Sequence, residues 1–89
     1  MSSEISELTV TDEKVLEIIE ETLEIDRFDL DPSKLFKEDL GASDSDLILV
    51  INALEDSGEF GNIKFIDVEI FSIQCIGDLL RLVEEKAKK

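Results

Sequence analysis

The chain has 89 residues, 43% of them hydrophobic, and sets 23 acidic side chains against nine basic ones for a net charge of −14. That length allows one domain with a small core. The charge repels phosphate backbones and anionic lipid surfaces, excluding nucleic acid and membrane insertion in favour of partners with basic patches. The absence of histidine rules out Ser-His-Asp and Cys-His catalysis and histidine metal sites within the chain.

Residues 1–9 are polar and expected to be flexible. Thr11 or Asp12 is placed to cap a first helix over about 11–25, with Val15, Ile18, Ile19, Thr22 and Leu23 on one face. From Asp26 to Gly41 no period is sustained, and Asp31-Pro32 breaks any helix. Phe28, Leu30, Leu35, Phe36 and Leu40 nevertheless predict a long loop lying across the core. A short helical turn over Ser33–Lys37, capped by Ser33, is expected within it. Gly41-Ala42-Ser43-Asp44-Ser45-Asp46 reads as a loop running into a second helix. Its apolar stripe spans Leu47 to Leu54 and stops at Gly58. Ile63 and Phe65 should anchor the next loop, and Asp67 should cap a short third helix containing Val68, Ile70 and Phe71. Ile76, Leu79, Leu80 and Val83 define a fourth helix that ends among Lys86, Lys88 and Lys89, where cations complement the helix dipole. The fold class is all-α: a four-helix bundle with a long first loop and a short third helix, as one domain over 1–89.

Cys75 is the only cysteine, so no internal disulfide exists; between Ile73 and Ile76 it reads as a small buried side chain. No apolar run approaches the roughly 20 residues needed to span a bilayer, and the N-terminus lacks a signal-peptide pattern, so a cytoplasmic setting is expected. The glycines form no phosphate-cradling loop. A calcium loop started at Asp44 would put Ile48 at a ligand position and Leu49 where the turn needs glycine, so no metal site is assigned. The remaining chemistry lies in Ser43 and Ser45. Serines before a helix are ordinarily caps, and Ser43-x-x-Asp46 has the form of a capping box. A helix N-terminus also suits a phosphodiester on one of them.

Three motifs in order, Glu38–Leu47, Ala53–Gly61 and Ile76–Asp78, make the chain resemble the acyl carrier protein family along nearly all its length. Glu38-Asp39-Leu40-Gly41-Ala42 followed by Ser43-Asp44-Ser45-Asp46-Leu47 is similar to the family's Asp-Leu-Gly-Ala and Asp-Ser-Leu. Ala53-Leu54-Glu55-Asp56 with Phe60-Gly61, and Ile76-Gly77-Asp78, match two later motifs. The resemblance implies a non-enzymatic carrier with a covalent 4′-phosphopantetheine arm bearing acyl thioesters. Its partners would be a phosphopantetheinyl transferase and the acyl-transferring and acyl-modifying enzymes of fatty acid, lipopolysaccharide or polyketide synthesis, and it would act as a monomer. Counting back from Ala53-Leu54 without a gap sets Asp44 at the attachment position. A one-residue shift sets Asp44-Ser45 over the family's Asp-Ser, which assigns Ser45, with Ser43 second and an unmodified relic third. Asp46, Leu47, Leu49, Glu55 and Asp56 would form the partner surface. The second helix is almost wholly apolar over Leu47–Ile51 where the family displays acids, so partners should read a less charged surface. An aminoacyl, peptidyl or D-alanyl carrier, or an unmodified interaction module, are the alternatives.

Overall fold

The first helix, α1 (Val10–Leu23), begins with a reciprocal cap. The Asp12 N–H donates to Thr9 Oγ1 (3.0 Å) and the Thr9 N–H donates back to Asp12 Oδ2 (3.2 Å). The cap is therefore Thr9, not Thr11 or Asp12, because only a start at residue 9 puts an acid three residues on to complete the box. The chain leaves α1 through Glu24 in the left-handed region (φ 56°). These observations come from a computed structural model that describes residues 9–88; of the stretch 1–9 expected to be flexible, Thr9 is instead fixed as the cap, while residues 1–8 and Lys89 lie outside the described residues.

A 3₁₀ turn follows at Arg27–Asp29, and it overturns one core assignment. Arg27 is tied to Glu13 of α1 (2.6 Å) while Leu30 is buried. In so tight a turn the side chain between two such inward anchors points away, and Phe28 is 93% exposed. Leu30 and Phe36 do enter the core; Leu35 and Leu40 are half-buried. The expected turn capped by Ser33 is not formed. The Ser33 hydroxyl donates to Asp31, next to the proline, and the turn lies further on, where Asp39 N–H donates to Leu35 O (2.9 Å) and Asp39 Oδ2 accepts from Leu35 N–H (2.8 Å).

This loop is stitched to the segment before the last helix. Phe36 N–H donates to Gln74 O (2.9 Å), Ile76 N–H to Lys34 O (3.0 Å) and Gly77 N–H to Pro32 O (2.8 Å). Gly77 suits that close approach: a Cβ would lie 3.1 Å from Pro32 O, so the loop would have to give by a few tenths of an ångström.

Helix α2 (Asp44–Ser57) ends at Gly58, whose φ of 73° is left-handed, as its position predicts. Phe60 and Ile63 are buried and Phe65 half-buried, anchoring the next loop. Helix α3 (Asp67–Ser72) starts one residue before the expected cap, at Ile66, whose N–H donates to Glu69 Oε1 (3.1 Å). A helix this short turns one residue inward, and only Ile70 is buried. Helix α4 (Ile76–Lys88) opens over Asp78, whose Oδ2 accepts from Gln74 N–H (3.1 Å) and Cys75 N–H (3.3 Å). Those backbone donors hold the Asp78 carboxyl below its ordinary range. Cys75 itself is half-exposed rather than buried.

The core is built by α1 (Val15, Leu16, Ile19), α2 (Val50, Ile51, Leu54) and α4 (Ile76, Leu79, Val83). Leu16 lies outside the predicted stripe of α1 and is buried because α1 packs against both α2 and α4. Among the described residues no polar or charged side chain is buried, and no helix is long and apolar enough to cross a membrane.

Candidate functional site

The site starts from Gly41. Its φ of 68° is the left-handed turn that brings the loop round to α2, and Ala42 N–H then donates to Phe36 O (2.8 Å). Ser43 follows in an extended conformation and caps the helix. Asp46 N–H donates to Ser43 Oγ (3.2 Å), and Ser43 N–H donates to Asp46 Oδ2 (3.1 Å). Asp46 is thus half-buried and turned back on the cap rather than extended toward solvent.

Ser45 sits between the two members of that box, in the first turn of α2. It is exposed, and its hydroxyl makes no hydrogen bond among the described residues. Asp44 beside it is paired with Lys37 of the long loop (Oδ1 to Nζ, 3.0 Å), which offsets one negative charge where the helix dipole favours an anion.

A cleft of about 480 Å³ opens at this point, between the long loop, the start of α2, and α3. Phe36, Ala42, Leu47, Ile70 and Ile73 form its apolar floor; Lys37, Glu38, Ser43 and Asp44 stand at its polar edge. The volume lies within the range of small-ligand sites. Ser43 and Asp44 line the cleft, whereas Ser45 lies about 100° further round the helix and outside it.

The remaining residues of the expected partner surface are divided. Leu47 is 5% exposed and belongs to the cleft floor. Glu55 is tied down, its Oε2 accepting from Phe65 N–H (2.8 Å). Leu49 and Asp56 do face solvent, and Ile48 with them. Missing from the sequence reading were Lys37, which pairs across the cleft edge, and the wall formed by Ile70 of α3 and Ile73 just after it. A lysine seven residues before Asp44 carries no periodic signal; its role depends on how the loop folds back.

No protein-family model matches the chain. A curated relative does: the acyl carrier protein of Solidesulfovibrio magneticus is 38% identical over 74 residues, covering 83% of this chain and 91% of that protein.

Proposed function

The chain belongs to the acyl carrier protein family, and on that footing we propose that it carries acyl groups as thioesters on a 4′-phosphopantetheine arm attached at Ser45. It passes them between lipid, lipopolysaccharide or polyketide biosynthetic enzymes in the cytoplasm, as a monomer with no catalysis of its own. The observation that carries this reading is the juxtaposition of an exposed serine, a helix N-terminus and an apolar cleft. The arm supplies a terminal thiol that forms the thioester. The chain's own residues supply the rest. Ser45 offers a hydroxyl engaged in no hydrogen bond among the described residues, preceded by an acid. The first turn of α2 presents backbone N–H groups beyond its start, which favour a phosphodiester. Lys37 neutralises Asp44 close by. The cleft floor offers apolar shelter to a short chain held there.

Ser43 is the second site for the arm. Its Oγ already accepts the cap hydrogen bond, but it stands on the cleft edge. One specific observation favours a different reading, an unmodified interaction module: α2 runs unbroken from Asp44 to Ser57, and an ungapped count back from Ala53-Leu54 sets Asp44 where the family has serine. Intact mass before and after incubation with a phosphopantetheinyl transferase and coenzyme A decides among these. A gain of one phosphopantetheine, lost in Ser45→Ala and kept in Ser43→Ala, is the expected result. Loss only in Ser43→Ala moves the arm, and no gain with a broad-specificity transferase makes the chain an unmodified module. An aminoacyl or D-alanyl cargo would show as that adduct on the holo protein isolated from its host.

A further inference from the structure

Ser45 lies about 100° round α2 from Asp44 and outside the cleft, so an arm on it sets out toward solvent rather than toward the apolar floor. The group joined to the serine is a phosphodiester anion, and the charges around it decide which way it turns. Asp46 is already engaged, its Oδ2 accepting from Ser43 N–H (3.1 Å). Asp44 repels an anion on its neighbour, and Glu38 adds a second acid at the cleft edge. Lys37 is the only base among the described residues that line the cleft, and it reaches from the long loop to Asp44 (Nζ to Oδ1, 3.0 Å).

The stem of Lys37 starts from a fixed turn. Asp39 N–H donates to Leu35 O (2.9 Å), and Ala42 N–H donates to Phe36 O (2.8 Å), so backbone bonds bracket residue 37 on both sides. Its head, by contrast, is free to exchange partners. The Lys37 side chain is 67% exposed and that of Asp44 58%, a pair that water screens and holds weakly. An ammonium on a flexible stem has three donors, of which Asp44 takes one.

We propose that Lys37 is the positioning residue that turns the arm into the cleft, its ammonium bridging the Asp44 carboxylate and the phosphodiester on Ser45. The proposal rests on the carrier reading and says how that site is set. Asp44 then holds the lysine in place, and the ammonium between the two anions replaces their repulsion by charge-assisted hydrogen bonds. An arm on Ser43 would need no such residue, since Ser43 already stands on the cleft edge.

The test uses the full isotope-labelled chain, loaded to completion by a phosphopantetheinyl transferase with coenzyme A and checked by intact mass. In the loaded wild type, the paired methyl groups of the arm beside its phosphodiester should give NOEs to methyl groups of Leu47 and Ile70. Lys37→Met should lose those NOEs and shift the phosphorus resonance, while its unloaded form keeps the wild-type core spectrum because the side chain is exposed. Lys37→Arg, which keeps the charge, should restore the NOEs. In about 0.5 M salt, where charges are screened beyond roughly 4 Å, the wild-type NOEs should weaken. NOEs of equal strength in Lys37→Met, or none in the wild type, overturn the role of Lys37 and leave the carrier reading intact. Loading that is lost in Ser43→Ala and kept in Ser45→Ala overturns it as well. A wild-type chain that accepts no arm overturns the carrier reading and the role of Lys37 together.

Discussion

Replacing Ser43 by alanine separates what the two serines do. The Ser43 hydroxyl satisfies one of the orphan donors of α2, accepting from Asp46 N–H at 3.2 Å, and alanine leaves that donor to water. The cost of such a truncation is about 1 kcal/mol. For a domain of this size that lowers the thermal midpoint by roughly 4–8 °C. Ser45→Ala removes a hydroxyl that bonds to nothing among the described residues and adds a better helix former, so its effect stays within about 0.5 kcal/mol. Ser43→Asp keeps an oxygen acceptor at the cap and should hold the wild-type midpoint while carrying no hydroxyl for an arm. Thermal and urea unfolding followed by circular dichroism at neutral pH measures all three. The reasoning fails if Ser45→Ala is the more destabilising change, or if Ser43→Asp is as damaging as Ser43→Ala. Should the cap hold and Ser43→Asp still accept phosphopantetheine, the arm is on Ser45 without any folding ambiguity.

Three further outcomes are expected. Lys86 pairs with Glu69 (2.9 Å) and lies 5.4 Å over the Phe65 ring, and its hydrogen bond is the main reason the Glu69 carboxyl sits below its ordinary value of 4.5. A depressed folded-state value means stability present above pH 4.5 and lost as the pH falls through the folded value. Lys86→Met should therefore cost about 0.5–1 kcal/mol near pH 7, with urea unfolding curves that converge on wild type in acid and a Glu69 titration that moves up by NMR. Leu54→Ala, at an α2 side chain 1% exposed in the core, should lose about 2–5 kcal/mol, enough to leave much of so small a domain unfolded; chemical denaturation reads this directly. Phe28→Ser should change stability by less than about 0.5 kcal/mol, and a loss above 1 kcal/mol would restore Phe28 to the core.

Local signals proved readable and long-range ones did not. Gly58 announced the end of α2, and the stripes of α2 and α4 named most of their buried residues, because a helix face is a matter of spacing alone. The start of α1 was misplaced since Thr9 and Thr11 are equal as cap formers until the partner at Asp12 is counted. Leu16 and Phe28 were misassigned for a common reason: one faces a second neighbour, the other turns away from any, and both depend on tertiary packing. At the site, the capping pattern of Ser43 and Asp46 was visible in four residues. The cleft was not, because its walls are brought together by the contacts of residues 32–36 with residues 74–77.

Those three backbone hydrogen bonds have a mechanical consequence. They fasten one jaw of the cleft, the long loop, directly to the start of α4. The opposite jaw, α3, has only Ile70 in the core, with the Lys86–Glu69 pair and its own short turn to steady it. The fastening stops at Gln74, two residues past the end of α3, so Ile73 becomes a pivot between a clamped segment and a looser one. Were the cleft to take a bulkier guest, α3 would be the jaw to swing outward with the loop held still, and amide exchange should be slow at Phe36, Ile76 and Gly77 although none of the three amides is bonded within a helix.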